Sequence, residues 1–242
     1  MQHTAGTFGA SSTAVNETSP LFVLEMNGTA LQTINSTTGT IDNTDHQVTL
    51  RMNNAAGVQL ASPLAVGRID FSGASHGILT SSSPNILTIQ NTSGNAIVVN
   101  SPGNTGYVNG PVRRIFAATT PMIIPTGAGG VYRELTLTPS SVVPTTFQAN
   151  LINSAPSGGN ISPVGGVSNY YWDISRIAGS ANAVVQFAIA GTVPGTGAGD
   201  GLVVAKNERI EGVGGDRIAT DDELLSLIHP PFRQAPDRNP SS

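Results

Sequence analysis

The chain has 242 residues, of which 11% are charged, with a formal net charge of −4 and no cysteine. The missing basic field excludes a phosphate-backbone partner, and the missing thiols exclude disulfides, thiolate metal sites and thiol catalysis. No stretch approaches the run of about 18 apolar residues that marks a membrane-spanning helix.

The chain begins "MQHTAGTFGASST", and residues 1–20 read as an extended N-terminal segment. No charged stretch followed by an apolar one marks a leader. Thr, Ser, Asn and Gly dominate and there is a single lysine, a surface composition expected of an exported β protein whose leader has been removed.

Residues 21–105 carry a repeat. "LEMNGTALQTI" at Leu24–Ile34 matches "LRMNNAAGVQL" at Leu50–Leu60, a step of 26. Ile69 and Phe71 of "RIDF" follow 19 residues later, and Leu87 and Ile89 of "LTI" a further 18 on. A second series runs through Val58, Ile78 and Ile97. Short β-branched runs at such steps suit the coils of a parallel β-solenoid, in which stacking completes a core that no coil can bury alone. Leu24/Met26, Leu50/Met52, Ile69/Phe71 and Leu87/Ile89 are then expected inward. Glu25, Arg51, Asp70 and Thr88 are expected as an outward ladder of alternating charge that sets register.

Residues 106–213 show longer runs at wider spacing: Tyr107–Phe116, Val131–Thr138, Thr145–Asn153, Val167–Arg176, Ala183–Ala190 and Gly201–Lys206. Turn-rich segments separate them, which predicts an antiparallel β-sandwich. The first run contains the paired arginines of "GYVNGPVRRIF". On a strand, Val108, Val112, Arg114 and Phe116 share one face and Tyr107, Arg113 and Ile115 the other. Pro111 suits an edge or a bulge. An arginine among apolar neighbours calls for a carboxylate, and Glu134 or Asp173 is the expected partner of Arg113 or Arg114. These four residues are read as a structural joint between the two β architectures.

Residues 214–242 form a C-terminal tail. In "TDDELLSLI", Thr220 and Glu223 make a capping box for a short helix, and a proline-rich extended stretch follows. The expected fold class is therefore all-β: a short parallel solenoid, then an antiparallel sandwich, then a short helix and extended tail.

The order "FVLEMNGTALQTI…GVQLASPLAVGRIDFSGASHGILTSSSPNILTI…GYVNGPVRR…PTGAGGVYRELTLTP…SNYYWDISR" resembles a repeat unit of large secreted surface proteins of Bacteroidetes-type bacteria, many of them type IX secretion cargo. The resemblance runs from about Phe22 to Ala190. It implies export to the cell surface and a role in adhesion or extracellular matrix. The chain departs from the pattern in two ways: no type IX C-terminal sorting domain is evident, and the match is poor after Gly201.

Candidate chemical sites are few. Asp70 and His76 make an acid–base pair on a solenoid wall, the best enzymatic idea, although glycosidases need two suitably spaced carboxylates. Asp216, Asp221, Asp222 and Glu223 are weak Ca²⁺ candidates, since acids in a first helical turn are expected from the helix dipole alone. Tyr170, Tyr171 and Trp172 are possible carbohydrate contacts, with Trp172 and Ile174 expected to face inward. The reading that follows is a non-catalytic extracellular structural or adhesin-like module with no cofactor apart from possible Ca²⁺. Its expected partners are copies of itself in an oligomer or filament, or neighbouring repeat domains. A carbohydrate-binding module is the alternative and a polysaccharide-cleaving solenoid enzyme the second.

Overall fold

A computed structural model describes residues 23–35, 48–99, 106–155 and 169–187, together with the strand pairing of 2–3 and 7–9. The expected C-terminal helix lies outside these residues. Within them the chain is all-β, with one 3-10 turn and no α-helix.

The strands arrive in circuits. The first is β1 (Gln2–His3) and β2 (Thr7–Gly9), and the second is β3 (Val23–Met26) and β4 (Gln32–Asn35). The third has three strands, β5 (Thr49–Met52), β6 (Val58–Leu60) and β7 (Leu64–Val66). The fourth repeats this with β8 (Arg68–Asp70), β9 (Leu79–Thr80) and β10 (Leu87–Ile89). After a 3-10 turn at Gly94–Ala96, the fifth comprises β11 (Ile97–Val98), β12 (Val108–Asn109) and β13 (Val112–Phe116).

Among the described residues the first two circuits add one strand to each of two parallel ladders, and the next three add one strand to each of three. The first ladder runs β1-β3-β5-β8-β11, the second β2-β4-β6-β9-β12, and the third β7-β10-β13. Inward residues stack on like residues: Leu24 on Leu50 on Ile69, and Met26 on Met52. Leu24, Met26, Leu50, Met52, Ile69 and Phe71 are all buried in one core shared by the three ladders. Burying a side chain of this size is worth about 1.5–3 kcal/mol, so the stacked ranks are the main source of cohesion.

Three expectations are corrected. Leu87, Thr88 and Ile89 do not continue the first ladder; they pair with Leu64–Val66 and Val112–Arg114 in the third. The next rank of the first ladder is Ile97, paired with Ile69, so Val98 and not Thr88 stands beside Asp70. In the second series Val58 pairs with Leu79, not Ile78. The reason is that a full circuit holds three strands, so the 18-residue step from Ile69 to Leu87 reaches another face of the same circuit. The run Tyr107–Phe116 likewise does not open the antiparallel region: Val108 pairs in parallel with Leu79, and Val112 with Leu87.

The antiparallel strands follow: β14 (Met122–Ile124), β15 (Gly127–Ala128), β16 (Val131–Tyr132), β17 (Leu135–Pro139), β18 (Thr145–Ile152), β19 (Tyr171–Ala178) and β20 (Ala183–Phe187). β18 pairs with β13 and β19 with β18, so the third ladder changes from parallel to antiparallel without a break. β14, β17 and β20 form a separate antiparallel sheet, and β15 and β16 a short hairpin. Alternation along β17 and β18 buries Leu135, Leu137, Phe147, Ala149 and Leu151. Thr126 makes a parallel bridge to Val108 beyond the last strand of the second ladder.

Candidate functional site: a buried arginine where the ladders change direction

β13 alternates cleanly. Val112, Arg114 and Phe116 are buried, while Arg113 and Ile115 are half-buried on the other face. Arg114 has no exposed surface. Its Nη1 donates to the Ile123 carbonyl of β14 at 2.5 Å, and its Nη2 to the Ser93 carbonyl at 2.7 Å. The guanidinium carbon stands 5.3 Å from the centroid of the Phe116 ring. Burial pulls its pKa down to about 10, so at neutral pH the group still carries its charge.

Ser93 caps the 3-10 turn, and its carbonyl also accepts from the Ala96 N–H at 3.1 Å. Arg114 thus ties three pieces together: the turn entering the fifth circuit, the strand ending it, and the first strand of the antiparallel sheet. Main-chain carbonyls at such corners have no ladder donor, and a guanidinium supplies several donors in a fixed fork.

Among the described residues no carboxylate pairs with either arginine, contrary to expectation. Arg113 Nε donates to Gln148 Oε1 at 2.9 Å across the β13–β18 pair. Glu134 accepts from the Tyr132 hydroxyl at 2.8 Å and the Thr136 hydroxyl at 3.3 Å. Burial and the adjacent Glu134 carboxylate push the Tyr132 hydroxyl well above its usual pKa. Asp173 is exposed on β19, opposite Asn150.

The aromatic run lies at the far edge of the same sheet. Trp172 and Ile174 pair with Leu151 and Ala149 and pack half-buried against the core, in line with the inward expectation. The Trp172 indole donates to Thr126 Oγ1 at 3.1 Å, and its ring meets Phe187 at 4.7 Å and Tyr170 edge-on at 5.5 Å. Arg133 stacks over Tyr170 at 4.0 Å. Tyr171 falls on the other face of β19 by strand alternation and is half-buried.

Asp70 and His76 do not form an acid–base pair. Asp70 bonds the Arg51 guanidinium at 2.8 Å and the Ser72 N–H at 2.7 Å. Burial pushes its carboxyl up, but Ser72 and Arg51 outweigh this and hold it below its usual pKa. His76 Nδ1 stands 3.5 Å from the Phe71 carbonyl.

Sequence reasoning missed one polar cluster. Gln32 and Asn54 are fully buried. Asn54 Nδ2 donates to Gln32 Oε1 at 2.9 Å and to the Ala30 carbonyl at 2.8 Å. Gln32 Oε1 also accepts the Gly28 N–H at 3.0 Å, and Asn54 Oδ1 the Ala56 N–H at 2.9 Å. A Cβ on Gly77 would stand 2.5 Å from the Asn54 carbonyl, so the next circuit passes this corner only without a side chain. The signal was the Asn shared by the two Leu-x-Met-Asn repeats, extended in the second to "MNN".

No group of three or more His, Cys, Asp or Glu residues that could hold a metal occurs among the described residues. Asp216, Asp221, Asp222 and Glu223 lie outside them. No helix among the described residues is long and apolar enough to cross a membrane, a statement that does not bear on strand-built spans. No family model, curated protein or solved structure matches the chain.

Proposed function

We propose that the chain is a non-catalytic structural or adhesin-like module of the bacterial cell surface, a short β-solenoid continued by a β-sandwich, with self-assembly by strand addition. One observation carries the reading. The side chains best suited to chemistry are engaged in holding neighbouring strands: Arg114 on two carbonyls, Asp70 on Arg51 and Ser72, Glu134 on Tyr132, and Trp172 on Thr126. A carboxyl held below its usual pKa is also a poor general acid, which weighs against polysaccharide cleavage at Asp70.

The three parallel ladders around one core support the solenoid half, and the antiparallel sheets after Phe116 support the sandwich half. The resemblance of "GVQLASPLAV", "GYVNGPVRR" and "PTGAGGVYRELTL" to Bacteroidetes-type surface repeats supports export and adhesion. Outer strands give assembly a route. β19, eight residues long, and β20 are the last strands of their sheets among the described residues, with Ile177 and Val184 exposed on them. An outer strand presents main-chain groups that a neighbour's strand can pair. Electron microscopy of the full chain at rising concentration tests this: filaments or regular oligomers support it, and monodisperse monomers at the highest concentration rule assembly out.

A further inference from the structure

The three ladders differ in what their outward side chains do. On the first, Glu25 accepts from Asn53 at 2.8 Å and Arg51 pairs with Asp70 at 2.8 Å. On the third, Arg113 is bonded to Gln148 at 2.9 Å. The outward column of the second ladder is Thr33, Gln59, Thr80 and Asn109, each directly beside the next, with Thr7 in register before Thr33. Gln59, Thr80 and Asn109 are exposed and Thr33 half-buried, and among the described residues none of these four side chains bonds another protein group. Beside this column, at the residues that immediately precede β4, β6 and β9, stand Leu31, Gly57 and Ile78. Leu31 is 54% exposed, and its Cδ1 lies 3.8 Å from where a Gly57 Cβ would stand. Gly57 is buried at φ +89°, where a Cβ would stand 3.2 Å from the Ile78 carbonyl oxygen, and Ile78 is half-buried.

We infer that this outward face of the second ladder binds an extended, uncharged polysaccharide chain. The hydrogen-bonding column carries one hydroxyl or amide per circuit at the strand spacing of about 4.8 Å, close to the length of one sugar unit in an extended glycan. None of these residues is charged, which suits a neutral polymer and gives an anionic one no counter-charge. The aliphatic shelf and the polar column together match a pyranose ring, which has C–H groups on its face and hydroxyls at its rim. A second copy of the chain fits less well, because each copy would bring the same free hydroxyls and amides of unequal length against each other. The inference does not depend on filament formation.

Affinity electrophoresis of the full chain through gels containing hydroxyethylcellulose, xylan or galactomannan, with alginate as the anionic control, tests it. Retardation is expected in at least one neutral gel and not in alginate. The double variant Gln59→Ala/Thr80→Ala, at two exposed positions, is expected to keep its thermal midpoint and weaken the interaction about tenfold or more. Tyr171→Ala is expected to retain it. Migration unaffected by every neutral gel overturns the inference. So does retardation that survives the double variant, or that disappears with Tyr171→Ala, because the glycan then sits elsewhere. If the double variant instead abolishes self-association and no gel retards the parent, the face is a copy-to-copy contact and not a glycan surface.

Discussion

Arg114 Nη2 lies 2.7 Å from the carbonyl oxygen of Ser93, a bond that joins the start of the last parallel circuit to the strand that closes it. Ser93 belongs to the turn that starts the last parallel circuit, and Arg114 to the strand on which the first antiparallel strand is laid. A cation buried without a carboxylate is an expensive way to fill a core. Its donors are what the corner requires, since a hydrophobic residue of the same volume leaves the Ser93 and Ile123 carbonyls without the guanidinium.

Replacing Arg114 by Ala should therefore lower stability by about 3–5 kcal/mol, combining a cavity with the loss of two charge-assisted hydrogen bonds to carbonyls. Arg114→Met keeps most of the volume and removes the charge, so its loss should be clearly smaller. Guanidinium unfolding of both variants checks this. Equal losses would show that the filled volume contributes nothing and that the lost guanidinium bonds carry the whole effect.

The Arg51–Asp70 pair predicts an acid limb. Asp70 has a native pKa below its unfolded value of about 3.9, so the unfolded chain binds the proton more readily. Its contribution is fully present above the unfolded value and is lost as pH falls through the native one. Asp70→Asn should cost about 1–2 kcal/mol at pH 7, with the partly exposed Arg51 keeping the figure modest. The variant's stability should fall less steeply below pH 4 than the parent's. Urea titrations between pH 2.5 and 7 measure this, and parallel curves would remove Asp70 from the acid response.

Alternation made the first ladder legible. Leu24, Glu25 and Met26 over Leu50, Arg51 and Met52 can be read directly from two similar strings, because a period of two places both faces at once. The third ladder was not legible for a geometric reason. Leu87 lies 18 residues after Ile69, nearly the 19-residue step from Leu50 to Ile69, so a step within one circuit resembles a step to the next. That one of the two arginines lies among apolar neighbours followed from the alternation of β13, but which one, and its partners, did not. Every residue has a carbonyl, so no residue type signals that Ser93 or Ile123 will be the acceptor, whereas the carboxylates Glu134 and Asp173 are conspicuous in the sequence.

The Gln32–Asn54 corner predicts strong coupling. Asn54→Ala removes donors from Gln32 and from the Ala30 carbonyl in a site closed to water, and should cost about 1–3 kcal/mol. Gln32→Ala alone should cost a similar amount. The double variant should cost less than the sum, because the polar groups that each single change strands are then both gone. A double-mutant cycle by urea unfolding decides it, and strict additivity would mean that the two amides do not share one network.

Trp172 is the only tryptophan, so its fluorescence reports on the antiparallel region without further labelling. Its indole N–H donates to Thr126 Oγ1, and that hydroxyl donates in turn to the Arg133 carbonyl at 2.6 Å. Thr126→Val breaks both bonds while keeping the branched shape, and Thr126 is fully buried. The expected loss is about 1–3 kcal/mol, with the Trp172 emission moving to longer wavelength as the ring loosens against Phe187. Trp172→Phe retains the ring packing and loses only the N–H bond, so it should cost about 1 kcal/mol, well below the roughly 3–5 kcal/mol typical of truncating a packed aromatic to Ala. Emission spectra and urea midpoints of the parent and Thr126→Val, with circular-dichroism midpoints for Trp172→Phe, measure both effects. If Thr126→Val leaves emission and midpoint unchanged, Trp172 is held by its ring contacts alone, and its indole N–H is then open to a ligand.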